Sequence, residues 1–143
     1  MYRVLLSVDH DPDRLDEQLD ALFALPGQEE LSVTVIHVHE NDDVPTDTAG
    51  DSIIDSQNRD IAELQGIPET VDRAVTVLEE AGIFGDLLTP SGDPVDGIIE
   101  TGESLDVDAY LLGVKRRSPV GKAIFGSVTQ GVITRAEQPV IVA

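Results

Sequence analysis

Cysteine is absent from the 143 residues, and so is tryptophan. Without cysteine there is no disulfide, no thiolate nucleophile and no thiolate metal centre. Aromatic side chains are few, two Tyr and three Phe, so the core has to be aliphatic, built from Val, Ile, Leu and Ala. No apolar run approaches the roughly 20 residues that cross a bilayer as a helix. The amino-terminal stretch MYRVLLSVDH meets acids too soon for a signal peptide. These absences predict a cytoplasmic protein with no membrane partner. The length predicts a single domain over residues 1–143, which buries about two-thirds of its unfolded surface.

Positive charge is scarce as well. Nine Lys and Arg face 28 Asp and Glu, for a net charge of −19. The acids are spread along the chain rather than gathered in a tail. That spread reads as a halophilic surface, adapted to salt that screens its self-repulsion. An acidic partner-binding surface is the rival reading. Either way the balance argues against a nucleic-acid partner, which calls for a basic footprint.

Where the few bases sit is therefore informative. Lys115, Arg116, Arg117 and Lys122 fall within eight residues, and no acid occurs between Asp108 and Glu137. The same window holds Gly113, Gly121, Gly126, Ser127 and Thr129. Glycines admit close backbone approach, and amides and basic side chains supply a positive field, so the window is suited to an anion such as phosphate.

Strand and helix signals alternate along the chain. Tyr2 to Val8 is a short apolar run ending at Asp9, as expected for a buried parallel strand. Leu15, Leu19, Leu22 and Phe23 recur at helical spacing before Pro26-Gly27. Leu31 to Val38 reads as a second strand. Glu40 to Asp51 reads as a polar loop, followed by a helix kinked near Gly66-Ile67-Pro68. Its later half puts Val71, Ala74, Val75 and Leu78 on one face and ends at Gly82. Phe84 to Thr89 is a third strand. Asp93-Pro94 sets a capping side chain before a proline at the first helical position. Ala109 to Leu112 is a fourth strand, and a base-rich loop follows as far as Phe125. Gly126-Ser127 opens a last helix, with Val128, Val132 and Ile133 inward, and Val140 to Ala143 closes as a fifth strand.

This alternation predicts a doubly wound α/β fold: five parallel strands in the order 3-2-1-4-5, helices on both faces, Rossmann-like. In such sheets ligands bind beyond the carboxyl ends of the strands, where the strand order reverses. That point lies between the first and fourth strands, at Asp9 and Gly113. Two phosphate motifs are excluded there. Gly121-Lys122 fits the end of a P-loop, but Arg116 stands where its first glycine belongs and Ala123 replaces its hydroxyl. The first turn, Asp9-His-Asp-Pro, lacks a dinucleotide fingerprint. His37 and His39 share a face, yet further metal ligands at suitable spacing are missing. No nucleophile elbow is present.

From Gly113 to Thr129 the chain resembles the nucleotide-binding signature of the universal stress protein family, G-x2-G-x9-G-[S/T]. Gly113 matches the first glycine, Gly126 and Ser127 the closing pair, and Arg116 takes the place of the second glycine. Val8-Asp9, Ile36-His-Val38, Gly92-Asp-Pro94 and Pro139-Val-Ile-Val extend the resemblance over the whole chain. It implies a small ATP-binding stress-response protein that acts as a switch or sensor and not as an enzyme. Val8 and Asp9 would lie against adenine and ribose, and the backbone of Val38 against the adenine edge. Gly113, Gly126, Ser127, Val128 and Thr129 would hold the phosphates, with Mg²⁺ accompanying ATP. Arg116 is a further phosphate candidate on its charge, and Lys115 and Lys122 weaker ones. The family also implies a homodimer through the last strand, Val140, Ile141 and Val142. Two other functions stay open. One is a dimeric protective or interaction module without nucleotide, favoured by Arg116. The other is a weak ATP hydrolase using Asp9 or His10.

Overall fold

The computed structural model describes residues 1–39, 67–114, 116–117 and 123–143. A central parallel sheet is formed by β1 (Tyr2–Ser7), β2 (Leu31–Ile36), β3 (Phe84–Leu88), β4 (Ala109–Leu112) and the last strand, β7 (Val140–Val142). Its order, β3-β2-β1-β4-β7, is the 3-2-1-4-5 arrangement once a short separate ribbon is set aside. That ribbon, β5 (Arg116–Arg117) and β6 (Ala123–Ile124), is antiparallel and pairs Arg116 with Ile124 and Arg117 with Ala123. The sequence reading of one continuous loop to Phe125 is thereby corrected. The chain doubles back, and main-chain pairing satisfies part of its backbone.

Helix α1 (Pro12–Phe23) starts where Asp11 accepts from the N–H groups of Asp13 and Arg14, with Pro12 at the first helical position. Helix α2 (Glu69–Ala81) begins just after Pro68 and ends on Gly82, whose φ of 77° favours glycine. Pro68 is thus where the expected kink becomes a helix start. The expected polar loop from Glu40 to Asp51 and the earlier part of that helix lie outside the described residues. Helix α3 (Pro94–Leu105) has the expected cap, Asp93 accepting from Asp96 N–H at 3.0 Å. Helix α4 (Ser127–Arg135) begins at Gly126 with no side-chain cap.

The sheet separates two apolar cores. On one face, Val4, Leu6, Val33, Val35 and Leu111 pack with Leu15, Leu19 and Leu22 of α1 and Val71, Ala74 and Leu78 of α2. On the other, Leu5, Ile36, Tyr110 and Leu112 pack with Ile98 and Ile99 of α3 and Val132 of α4. Two expected core residues lie outside these clusters. Ile133 is 42% exposed and Phe23 39%. Ile133 sits about 100° around the helix from Val132, which takes the inward position, and Phe23 occupies the last turn of α1.

Close packing on the α3 face depends on small residues. A Cβ at Gly131 would come within 2.6 Å of Val95 Cγ2, so α4 lies tight on α3. A Cβ at Gly102 would strike the fully buried Tyr110 ring, 2.5 Å from Cε1. Two effects oppose each other in Gly102→Ala. Helix propensity favours alanine by up to about 1 kcal/mol, while overpacking costs about 1–3 kcal/mol. The clash wins, because Tyr110 is enclosed on all sides. Denaturant unfolding should show Gly102→Ala destabilised by about 1–2 kcal/mol, with part of the loss recovered in Gly102→Ala/Tyr110→Leu.

Candidate functional site

The site is built by the way the strands part at their carboxyl ends. The ladder between β1 and β2 runs as far as Val8 N–H to Ile36 O, at 3.0 Å. Beyond it β2 continues to bond on its other side: His37 N–H donates to Leu88 O and His39 N–H to Pro90 O, at 3.0 and 2.8 Å. Along an extended chain successive residues turn their backbone groups to opposite sides. The N–H and C=O of Val38 therefore face the β1 side, where β1 has already turned into Asp9. Val38's side chain stands off the sheet into the α3 layer, where a Cβ added at Gly97 would meet it at 3.1 Å.

On the far side of β1, Gly113 is held extended by rungs on either side of it. Ala143 N–H donates to Leu112 O and Val114 N–H to Ala143 O, at 3.0 and 2.9 Å. Both rungs point towards β7, which leaves the backbone of Gly113 turned towards β1. Thr129 Oγ1 donates to Gly113 O at 3.0 Å, tying the first turn of α4 to the end of β4. Thr129 is buried, Val128 half-buried and Ser127 exposed. Gly126 is the capping position and Ser127 the first residue of the helix. The amides of the first turn of α4 thus carry the positive end of the helix dipole without a side-chain cap.

Val8, Asp9, Val38, Gly113, Gly126, Ser127, Val128 and Thr129 accordingly share one end of the sheet. Arg116 follows directly in the ribbon, where its backbone pairs with Ile124. Lys115 and Lys122 lie outside the described residues.

Asp9 is closely held. Thr70 Oγ1, in the first turn of α2, donates to Asp9 O. Asp9 Oδ1 accepts from Asp11 N–H at 3.0 Å, and Oδ2 pairs with Arg14. Arg14 was not expected from the sequence, and its side chain bridges the Asp9 turn and the end of β4. Its Nε donates to Val114 O at 2.7 Å, and a terminal nitrogen lies 3.5 Å from Asp11 Oδ2. Its stem lies over Gly113, where a Cβ would overlap Cγ and Cδ. Gln18, one turn further along α1, donates Nε2 to Ser7 O at 2.7 Å and is 1% exposed. The signal in the sequence was Arg14 and Gln18 at i, i+4 interrupting the apolar stripe of α1.

Three imidazoles adjoin the turn. His37 stands edge-on to His10 and to His39, with ring centroids 5.4 and 4.9 Å apart. His37 and His39 share a face, as their spacing predicts, while the approach of His10 depends on the turn after β1. His37 Nδ1 lies 2.9 Å from Val8 O, so it carries the proton and donates. Burial holds the His37 pKa below the ordinary histidine value of 6.5, and the neighbouring His39 and His10 add to this against the bond to Val8. Among the described residues no group of three His, Cys, Asp or Glu is arranged to hold a metal ion. Beside the rings, His10, Pro12, Pro68, Glu69, Thr70 and Arg73 line a cleft of about 290 Å³.

Comparison with known proteins points one way. A model of the Universal stress protein family matches residues 1–143. A universal stress protein of Mycolicibacterium smegmatis is 26% identical over 95 residues, which span 66% of this chain and 68% of that protein. The structure of a universal stress protein from Archaeoglobus fulgidus is similar with a TM-score of 0.67 at 27% identity, covering 99% of this chain and 98% of that one. A universal stress protein of the same organism in complex with dAMP gives a TM-score of 0.63 at 25% identity, covering 99% and 97%.

The buried imidazole makes stability depend on pH with a definite sign. A depressed folded-state pKa means that the unfolded chain takes up the proton first. The contribution of His37 is complete above pH 6.5 and is lost as pH falls through the window below that value. Thermal unfolding between pH 7.5 and 5.5 should show the midpoint of the wild type falling more steeply than that of His37→Gln. Parallel curves would mean that His37 carries no linkage.

Proposed function

The chain belongs to the universal stress protein family, and from that premise we propose that it is a cytoplasmic ATP-binding switch or sensor of the stress response rather than an enzyme. One observation carries the reading: the backbone of Val38, the Asp9 turn, Gly113 and the uncapped start of α4 converge where the strand order reverses. Parallel sheets bind their ligands at that point. The Val38 N–H and C=O offer a donor–acceptor pair to an adenine edge. Asp9 offers a carboxylate to ribose hydroxyls. The amides of Ser127, Val128 and Thr129, with Gly113 and Gly126, offer donors to phosphate. The base-rich segment, Arg116 included, adds positive potential in a chain whose net charge would otherwise repel a nucleotide. Mg²⁺ accompanies the phosphates.

As a switch the protein works through population shift: ATP favours one conformation of the protein, and a partner reads it. β7 is an outer strand of the sheet, and Val140, Ile141 and Val142 are half-buried. Such an edge invites a second copy, so we place a homodimer there. The acidic surface fits work in concentrated salt.

A second reading, a dimeric interaction module without nucleotide, has a specific observation behind it. Arg116 replaces the second glycine of the signature, and Arg14 lies over the first. Weak ATP hydrolysis ranks last, since among the described residues no activated nucleophile stands beside Asp9 or His10.

Calorimetric titration of ATP in molar KCl, with Mg²⁺, should give saturable binding at one site per chain. Gly126→Val should weaken it by about a hundredfold or more, as a side chain blocks phosphate from the helix start. Gly126 has φ −73° and ψ 168°, a conformation open to valine, so the variant should keep its circular dichroism. No binding by the folded wild type would select the second reading.

A further inference from the structure

The stem of an arginine, Arg14, and the carboxamide of Gln18 stand against Gly113 where an aliphatic helix face would be expected. The stripe of α1 that packs on the sheet, Leu15, Leu19 and Leu22, is fully apolar elsewhere. At the end of β4 it gives way to Arg14 and Gln18. Burying such groups carries a desolvation penalty that leucine would avoid. Gln18 Oε1 is buried and has no partner among the described residues. Arg14 is the sunken member of its ion pairs, its side chain 19% exposed against 46% for Asp9 and 42% for Asp11.

Resting on the nucleotide reading above, we infer that Arg14 makes the crevice selective for phosphorylated ligands by pairing with Asp9 in the free protein and with a nucleotide phosphate in the complex. Carboxylate and phosphate are interchangeable partners for a guanidinium fork. Exchanging one for the other keeps the half-buried cation paired throughout. Asp9, about half exposed, is the member that can return to water, and once released it is free to accept from ribose hydroxyls. Arg14 is already at the required place, over Gly113 and bonded to Val114 O at 2.7 Å, at the root of the base-rich segment. A nucleoside fares differently. It has to compete with Arg14 for Asp9 and brings no anion in return. The same pair that admits ATP therefore disfavours adenosine.

Two variants separate charge from bulk. Arg14→Met keeps a stem over Gly113 and removes the fork, while Arg14→Lys keeps the charge and loses the planar geometry. ATP and adenosine are each titrated by calorimetry into wild type and variants, with Mg²⁺ in molar KCl, and thermal unfolding verifies the fold. The expected result is a change of opposite sign in Arg14→Met. ATP weakens by about tenfold or more, and adenosine tightens because Asp9 is released. Arg14→Lys falls between wild type and Arg14→Met for ATP, and it carries the test alone should Arg14→Met fail to fold.

Equal weakening of both ligands would make Arg14 a structural residue and overturn the inference. Tighter ATP in Arg14→Met would make it an obstruction and overturn it too. Wild-type ATP binding with unchanged affinity in both variants removes the inference and leaves the nucleotide reading standing. Binding of neither ligand by any form removes both.

Discussion

The hydrogen bond from Val8 N–H to Ile36 O is the last rung between β1 and β2, and the arrangement at the carboxyl end of the sheet follows from where it falls. Past that rung the strands lose each other. Val8 turns its carbonyl to His37, β2 keeps its bonds to the β3 side, and Val38 is left with backbone groups facing a gap. A site of this kind needs strands that are fixed up to one residue and divergent after it. The other wall obeys the same constraint. Rungs through Ala143 hold Gly113 extended, and Thr129 anchors α4 to its carbonyl. Candidate binding groups from four separate segments are thereby positioned by the ladder rather than by their own loops.

Most of the scaffold was legible in the sequence because it rests on local chemistry. Asp93-Pro94 before α3 and Gly82 after α2 are helix boundaries in any context. Strand runs of β-branched residues alternating with helical periodicity led to the strand order that the structure has. The parts missed are those that tertiary neighbours decide. Ile133 and Val132 are adjacent apolar residues, and only the position of α3 selects which one is covered. The β5–β6 ribbon arises from antiparallel pairing of Arg116 and Arg117 with Ile124 and Ala123, which composition does not encode. Arg14 was passed over because a charged residue on a helix ordinarily faces water. Beside the nearby carboxylates of Asp9 and Asp11, it bonds to a strand end a hundred residues away. The meeting of His10 with His37 likewise depends on the turn after β1.

Three other arginines among the described residues act as brackets between elements. Arg3 bonds to Leu105 O at 2.9 Å and joins β1 to the end of α3. Arg73 pairs with Asp16 across α2 and α1, and Arg135 with Asp96 across α4 and α3. Exposed pairs of this kind are worth little individually and less in salt. Their role is to set helix against helix in a chain where acids outnumber bases threefold. Arg14 differs from them in being sunk into a crevice, with backbone as well as carboxylate partners.

The sheet acts as a septum between two aliphatic cores, one under α1 and α2, the other under α3 and α4. Arg14 and the Asp9 turn belong to the first compartment. The start of α4 belongs to the second. They meet only at the rim, around Gly113. Anything that grips both sides of that rim is a rivet through two plates. It couples layers that otherwise communicate only through the strands between them, so amide protection gained at α1 and at α4 would rise together although the two helices lie on opposite sides of the sheet.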